Sequence, residues 1–235
     1  MARARPAAVL PLLALAVAAC AGPRGAGRGE PDLSLFDLQA RLAARAASLV
    51  GHTAGFRVGG ERFNADCTGF VEAVYADEGV PLRPLMRSAA PEERSGVRAA
   101  YRAIRRFGVV FGGGGEWPAP GDLVFWRDTY DRNRNGKADD GLTHLGIVEY
   151  VVDGTVVFVH RGAHGVARGA MTPDRPDERS AAGVALNSTI RARDPRLSGV
   201  PGLAGELFAG YGRLDPAKLP RPLDVAARPP TSRAP

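Results

Sequence analysis

The stretch Asp66-Cys67-Thr68-Gly69-Phe70-Val71 contains the residues that decide the fold of this chain. From Cys67 to Glu78 apolar side chains recur at helical spacing before a glycine and a proline, which predicts a helix that begins at Cys67. Asp66 or Asn64 is suited to cap that helix, because a short polar side chain accepts the unpaired N–H groups of a first turn. A thiol at a helix start lies beside N–H groups that stabilise its anion. We therefore expect Cys67 to have a lowered pKa and to be nucleophilic.

The hydrophobic period changes from helical to β-type along the chain. Helices are predicted over Leu33–Val50 and Val97–Phe107, where apolar residues recur every three to four positions. Short runs rich in Val and aromatic residues follow at Leu123–Trp126, Leu145–Val152 and Thr155–His160. Helices followed by antiparallel strands predict one α+β domain, which we place at residues 33–214.

Two of the four histidines lie on neighbouring predicted strands. Asp153-Gly154 is typical of a two-residue hairpin turn. His144 stands near the start of the first strand of this hairpin and His160 at the end of the second. The hairpin can place them side by side, although the turn alone does not fix whether they lie on the same face. A cysteine nucleophile needs a base and a group that orients the base, and these two imidazoles are the candidates. We assign no catalytic role to His52 or to His164, although His164 can lie at the rim of a cleft.

The first residues are typical of an exported bacterial protein. Arginines precede the apolar run Ala7–Ala19, which is too short to span a bilayer permanently. The small residues before Cys20 resemble a lipobox, which predicts a signal peptide at 1–19, a lipidated Cys20 and a flexible tether over 20–32. The alternative is ordinary secretory cleavage, and a disulfide between Cys20 and Cys67. If Cys20 is lipidated, Cys67 has no partner and is a lone thiol in an oxidising compartment, which points to reactivity.

Composition limits the partners of the chain. The 235 residues carry a formal net charge of +6, which favours anionic partners, but predicted export excludes a nucleic-acid-binding role in the cytosol. The Pro- and Arg-rich residues 215–235 predict a disordered tail. We expect a monomer held to a membrane by its lipid. Ala21 is not an Asp-type retention signal for the inner membrane, so the outer membrane facing the periplasm is the preferred location.

Several ordered motifs resemble the NlpC-type cell-wall cysteine peptidases. They are Phe56-Arg57-Val58-Gly59-Gly60, Asp66-Cys67-Thr68-Gly69, Val80-Pro81-Leu82, Pro120-Gly121-Asp122-Leu123 and Thr143-His144-Leu145-Gly146-Ile147. The resemblance covers roughly residues 40–170. It implies a papain-like fold that hydrolyses amide bonds in peptidoglycan stem peptides without a catalytic cofactor. It also implies that Cys67 attacks, His144 acts as the base and His160 orients His144.

The departures from this pattern leave alternatives open. Phe56 stands where the family commonly has a tyrosine whose hydroxyl reaches the active site. The related CHAP amidases orient their base with Glu or Asn, and here Glu149 is too near His144 in sequence to serve readily. A catalytically silent wall-binding lipoprotein is a further alternative. Segment Ala182–Gly212, with Asn187, Arg191, Arg193, Phe208 and Tyr211, is a candidate wall of the cleft, but the sequence does not determine which amide bond is cleaved.

An acidic insertion between the predicted strands resembles a short calcium-binding loop. Alternate oxygen ligands, a glycine at the sixth position and an acid at the ninth are what such a loop requires. The predicted ligands are Asp131, Asn133, Asn135, the backbone carbonyl of Lys137, and Asp139. The twelfth position is Leu142 and not glutamate. A structural calcium ion is therefore predicted as a brace for the loop before His144, with a solvated turn-rich insertion as the alternative.

Overall fold

The structure is a computed structural model that describes residues 35–112 and 116–220. The predicted signal peptide at 1–19, lipidated Cys20 and tether at 20–32 lie outside the described residues, and so does 221–235 of the predicted tail. No helix in the described part of the chain is long and apolar enough to cross a membrane. A short 3-10 helix at Pro216–Lys218 follows the last strand, and the Asp215 N–H bonds to the Phe107 carbonyl oxygen at 3.0 Å. The described fold therefore continues beyond residue 214.

The described residues form four α-helices. They are α1 (Leu35–Ser48), α2 (Cys67–Asp77), α3 (Leu82–Ala89) and α4 (Gly96–Phe107). The three helices predicted from apolar spacing are confirmed as α1, α2 and α4. Helix α3 was not predicted, because it contains Pro84 and proline usually breaks a helix. Pro84 lies in the first turn, where its missing N–H would have had no helical partner.

The strands follow in one large antiparallel sheet and two small hairpins. The hairpins pair β1 (Phe56–Val58) with β2 (Glu61–Phe63), and β8 (Ser180–Ala181) with β9 (Val184–Ala185). The sheet contains β3 (Gly108–Phe111), β4 (Leu123–Arg127), β5 (Leu142–Val152), β6 (Thr155–Gly162), β7 (Gly165–Met171) and β10 (Phe208–Leu214). Their order is β3-β10-β4-β5-β6-β7. The predicted α+β class is confirmed.

The hairpin between β5 and β6 was predicted from two residues. Asp153 has φ 47° and Gly154 has φ 73°, so both adopt the left-handed conformation that a tight I′ turn requires. Val152 pairs directly with Thr155 across this turn. The predicted hairpin is therefore confirmed. A β-bulge between Val148 and Tyr150 then shifts the pairing by one residue, and this shift places His144 and His160 on the same face of the sheet.

The sheet is covered on both faces. On one face the helices pack against it, with Leu42, Phe70 and Ile104 fully buried. On the other face Trp126 and Phe158 pack with Leu207, which belongs to the segment between β9 and β10. The C-terminal segment thus completes a second apolar core that strand periodicity alone did not predict.

Asp122 joins three parts of the fold. Its carboxylate accepts hydrogen bonds from Gln39 of α1 (2.5 Å), the Ala119 N–H (2.8 Å) and Arg213 of β10 (2.7 and 2.9 Å). Burial of this carboxyl raises its pKa, and the Arg213 guanidinium opposes that rise. The Pro120-Gly121-Asp122 motif therefore fixes the start of β4 against α1 and β10.

Candidate active site

Cys67 is the first residue of α2, as predicted. Asp66 caps the helix, because its Oδ1 accepts the Gly69 N–H at 2.7 Å. A Cβ on Gly69 would lie 2.2 Å from the Asn64 carbonyl oxygen, so only glycine lets the preceding loop pack this closely on the first turn. Cys67 is a half-buried free thiol held in place by this packing.

His144 on β5 and His160 on β6 form a hydrogen-bonded pair. His144 Nε2 and His160 Nδ1 are 2.8 Å apart, and the two rings meet nearly perpendicular at 86°. A Cβ on Gly146 would lie 3.2 Å from the His160 Cβ and 2.8 Å from the Val159 carbonyl oxygen. A glycine at 146 therefore leaves the space in which His160 approaches His144.

Aromatic side chains support both imidazoles from the second core. The Trp126 ring packs on His144 with centroids 5.7 Å apart, and Phe158 packs on His160 at 5.4 Å. The Trp126 Nε1–H donates to the Ala204 carbonyl oxygen at 3.0 Å, which fixes the indole. The histidine pair therefore lies against a rigid apolar floor that excludes water from one side.

One cavity of about 680 Å³ contains the thiol and both histidines. In the part of the chain that the structure describes, no hydrogen bond joins the Cys67 thiol to either imidazole. His144 Nε2 is occupied by His160, so Nδ1 is the nitrogen of His144 left to exchange a proton with a substrate or with Cys67. The three predicted catalytic residues are thus brought to one cleft with the histidine contact formed.

The expected lowering of the Cys67 pKa is wrong for this structure. Burial, and after it the charge of Asp66, raises the pKa of Cys67 to about 11, although hydrogen bonds from Leu145 and Thr68 oppose the rise. Desolvation disfavours the thiolate more than the helix start favours it.

Burial also keeps both imidazoles neutral. It lowers the pKa of His160 to about 4 and, together with the neighbouring His160, the pKa of His144 to about 3. At neutral pH the resting site therefore holds a thiol and two uncharged imidazoles.

The position of the expected family tyrosine is apolar here. Phe56 is buried and packs on Phe70, with ring centroids 5.9 Å apart. Tyr130, which the sequence analysis did not single out, lines the cleft and is exposed. Burial and then the charge of a Cys67 thiolate raise the pKa of Tyr130. A tyrosine thus lines this site from the loop after β4 and not from β1.

Of the other residues considered for the base or its orienting group, one lines the cleft and two do not. His164 lines the cleft, as expected for a residue at its rim. His52 lies outside that lining, where its Nε2 is 3.2 Å from the Gly55 carbonyl oxygen. Glu149 is bound by Arg168 through two hydrogen bonds of 2.6 and 2.9 Å, so this acid is engaged away from His144.

The predicted calcium loop is closed by hydrogen bonds of its own. The Asp131 carboxylate is buried and accepts the N–H groups of Asn135 (3.0 Å) and Gly136 (2.8 Å), and Arg196 lies 3.2 Å from it. Asp139 accepts the side-chain amide of Asn135 at 3.1 Å. Over residues 35–112 and 116–220, no group of three His, Cys, Asp or Glu residues is placed to hold a metal ion. Calcium binding by this loop stays a prediction.

The C-terminal segment contributes to the cleft through its arginines. Arg191 and Arg193 line the cavity with Cys67. Asn187 is instead a buried structural residue, with its Oδ1 accepting the Thr172 N–H at 3.0 Å and its Nδ2 donating to the Arg175 carbonyl oxygen at 2.7 Å. Phe208 and Tyr211 pack in the second core and lie outside the cleft lining.

Comparison with known proteins gives weak structural likeness only. No protein-family model and no curated protein matches the sequence. The chain is similar to a solved structure described as similar to lipoprotein, NLP/P60 family, from Staphylococcus aureus, with 18% identity and a TM-score of 0.39. The match covers 79% of this chain and 45% of that one.

Two structures of Ly7917 are also similar, one of them with the hydrolysing product of MDP. Their identities are 12% and 13% and their TM-scores 0.37 and 0.33, and each match covers 75% of this chain and 62% of the other. The chain thus spans less than two thirds of each of these structures. Likeness of this degree does not establish a shared activity.

Proposed function

We propose that this protein is a cysteine hydrolase that cleaves amide bonds in the peptides of peptidoglycan. The observation that carries the proposal is the single cleft that contains Cys67 at a helix start and the hydrogen-bonded pair His144 and His160. The ordered motifs around these residues, which resemble those of NlpC-type peptidases, supply the substrate class.

The contact between the histidines assigns a tautomer to each ring. For His144 Nδ1 to accept a proton, its Nε2 must carry the hydrogen and donate it to His160 Nδ1 at 2.8 Å. His160 then carries its own hydrogen on Nε2. In this arrangement His160 orients the ring of His144 and stabilises the positive charge that His144 acquires, which is the role of the third member of a triad.

The reaction begins from a neutral site. Because the pKa of the thiol is about 11 and that of His144 about 3, the proton moves from sulfur to His144 Nδ1 as sulfur attacks the amide carbonyl carbon, and not before. Hydrogen bonds from Leu145 and Thr68 stabilise the sulfur while it loses its proton. The C–N bond then breaks, the proton passes from His144 to the leaving amine, and water hydrolyses the thioester with His144 as base.

An amidase of the CHAP type is the alternative hydrolase. Such enzymes orient the base with an acid or an amide, whereas the group hydrogen-bonded to His144 is another imidazole and Glu149 is paired with Arg168. This observation favours a peptidase that cleaves within the stem peptide. A catalytically silent wall-binding protein would not need the histidine pair to share a cleft with a free thiol.

The activity is tested on purified peptidoglycan with mass spectrometry of the released fragments. We expect wild-type protein to release peptides, and Cys67→Ala and His144→Ala to release none above background. His52→Ala is the matched control, because it removes a histidine outside the cleft lining, and we expect it to keep wild-type activity. Digestion by Cys67→Ala equal to wild type would contradict the assignment. New amino-sugar-linked carboxyl ends, in place of new peptide ends, would identify an amidase.

We also propose that Cys20 carries the lipid that holds the protein in the bacterial envelope. The support is the pattern of small residues before Cys20 after a short apolar run. Cys20→Ser is expected to move the protein from the membrane fraction to the soluble fraction, with the accompanying loss of a lipid mass from the N-terminal peptide. An unchanged distribution and mass would contradict the anchor.

A further inference from the structure

The cleft around Cys67 is strongly basic. Five arginines line it, at positions 94, 132, 161, 191 and 193, whereas its lining contains one acid, Asp66. Asp66 is committed to the N-cap of α2, where it accepts the Gly69 N–H. The walls of the cleft therefore offer positive charge that the lining itself does not neutralise.

Many of the described arginines outside the cleft are paired with acids, although others, among them Arg57 and Arg105, form no ion pair in the described structure. Those that form ion pairs with acids are Arg41, Arg45, Arg83, Arg98, Arg102, Arg168, Arg175, Arg196 and Arg213. None of the five cleft arginines forms an ion pair with a residue of the described chain. Positive charge left unpaired in a concave site focuses the field toward an anionic ligand.

Two of the cleft arginines, Arg161 and Arg191, have a buried nitrogen without a hydrogen-bond partner in the described structure. Both Nη atoms of Arg161 already donate to the carbonyl oxygens of Gly162 and Thr53, whereas neither Nη atom of Arg191 has a hydrogen-bond partner in the described structure. The Nε of Arg191 donates to the Pro201 carbonyl oxygen at 2.6 Å, but its Nη1 is buried without a hydrogen-bond partner in the described structure. A buried donor without a partner is unfavourable, and a ligand oxygen that pairs with the guanidinium relieves this. Burial accordingly lowers the pKa of Arg191.

Asp128 and Glu206 are the acids whose charge acts on Arg191, and both already accept hydrogen bonds from backbone N–H groups. Asp128 Oδ1 accepts the Gly141 N–H at 2.8 Å. Glu206 accepts the N–H groups of Gly202 and Leu203 at 2.9 and 2.8 Å. Both carboxylates hold loop backbone in place, and neither forms an ion pair with Arg191 in the described structure, although the charge of each opposes the lowering of the Arg191 pKa.

Backbone contacts fix Arg191 beside the catalytic strand. The N–H of Ala192 donates to the Thr129 carbonyl oxygen at 2.7 Å, and the Thr129 N–H donates to Thr143 Oγ1 at 2.8 Å. Thr143 directly precedes His144. Arg191 lines this cleft and also an adjoining cavity of about 870 Å³ that contains Pro201, so a group bound on its cleft side lies beside the reacting atoms.

We propose that Arg191 determines specificity by binding a free carboxylate of the peptide substrate, and that the enzyme discriminates against peptides in which this carboxylate is amidated. The proposal rests on the proposed function and names the substrate class of the same site. The other cleft arginines attract the anionic peptide, and Arg191, with its fork of N–H donors, binds one carboxylate specifically. An amide at this position leaves the arginine without a counter-charge.

The test uses the full-length protein and two synthetic stem peptides that differ only by a free carboxylate or its amide. Binding is measured by calorimetry with the inert Cys67→Ala protein, and cleavage is measured with wild type. We expect the free acid to bind on the order of 10- to 100-fold more tightly than the amide, as for a hydrogen bond to a charged partner. Adding Arg191→Gln should remove this preference, and Arg191→Lys should retain part of it.

Arg105→Gln is the matched control, because it removes the same charge from the exposed face of α4, away from the cleft. It should keep the preference for the free acid. Equal binding of the two peptides, or no binding of either, would overturn the proposal, and so would an Arg191→Gln variant that weakens both peptides equally. If wild type cleaves neither peptide nor peptidoglycan, the proposed function fails, whereas the binding comparison still decides the role of Arg191.

Discussion

The protonation state of Cys67 can be tested by alkylating the folded protein with iodoacetamide across a range of pH. Only the thiolate reacts, so the rate follows the thiolate fraction. Burial, and then the charge of Asp66, places the pKa of this thiol at about 11. We therefore expect the rate to rise continuously from pH 7 to pH 10, with no inflection in between.

The expected alkylation rate at pH 7 follows from the raised pKa of Cys67. At pH 7 a pKa of about 11, against the ordinary value of 9.0, leaves about 100-fold less thiolate. A more basic thiolate is intrinsically more nucleophilic, which recovers about 10-fold for a pKa difference of about two. The folded protein should thus react about 10-fold more slowly than the same chain unfolded at pH 7. The absence of an inflection below pH 10 is the more discriminating observation.

The assay follows the mass of the peptide that contains Cys67, so that Cys20 does not interfere. The same chain in denaturant is the control and should titrate near the ordinary thiol value. Asp66→Asn keeps a capping side chain but removes the neighbouring charge, so the pKa of Cys67 should fall. An inflection between pH 4 and pH 7 in the wild type would show a preformed thiolate–imidazolium pair and would refute the argument from burial.

Further predictions concern the histidine pair and the acidic loop. His160→Gln should lower kcat by on the order of 100-fold or more while KM changes little, because His144 loses the partner that orients it; an unchanged kcat would remove His160 from the triad. The free energy of unfolding in urea should fall between pH 7 and pH 5. His144 and His160 stay neutral in the fold, with pKa values of about 3 and about 4, while the unfolded chain takes up protons below its pKa of about 6.5. The loss is at most about 2 kcal/mol for each histidine, because protons are taken up by the unfolded chain alone only over the interval from about pH 6.5 to pH 5, and His160→Gln should show about half of it. Gly146→Ala should destabilise the protein by about 1–3 kcal/mol and reduce activity, because the added Cβ meets β6; wild-type values for both would contradict the close packing. For the predicted calcium loop at residues 131–140, a rise in Tm with Ca²⁺ over EGTA supports binding, and an unchanged Tm argues against it.

Local sequence was sufficient for the elements that carry the candidate catalytic residues. The apolar spacing from Cys67 and the cap at Asp66 act within one or two turns of chain, so they predicted where α2 begins. The Asp153-Gly154 turn needs only two residues in the left-handed conformation, so it predicted that the strands of His144 and His160 are neighbours. Neither feature depends on residues far away in sequence.

Elements that depend on distant partners were missed. Strand β10 inserts between β3 and β4, which precede it by roughly 80 to 100 residues, and its pairing is set by packing of the whole sheet. Arg191 was predicted as part of a cleft wall and does line the cleft, but the contacts that place it there, from Ala192 to Thr129 and from Arg191 to Pro201, were not predicted. The spacing of apolar residues cannot predict such contacts, because it describes one helix or strand at a time.

Cys67 and the two histidines show most clearly which properties follow from local sequence and which from tertiary packing. Short-range hydrogen bonds and steric preferences dictate that Cys67 begins a helix and that a tight hairpin joins the strands of His144 and His160, so both were predicted from local residues. The shared face of the two histidines depends on a β-bulge in β5, which the sequence did not predict, and the charge of these groups depends on packing from distant parts of the chain. Desolvation comes from the surrounding fold, and it outweighs the helix start at the thiol and keeps both imidazoles neutral.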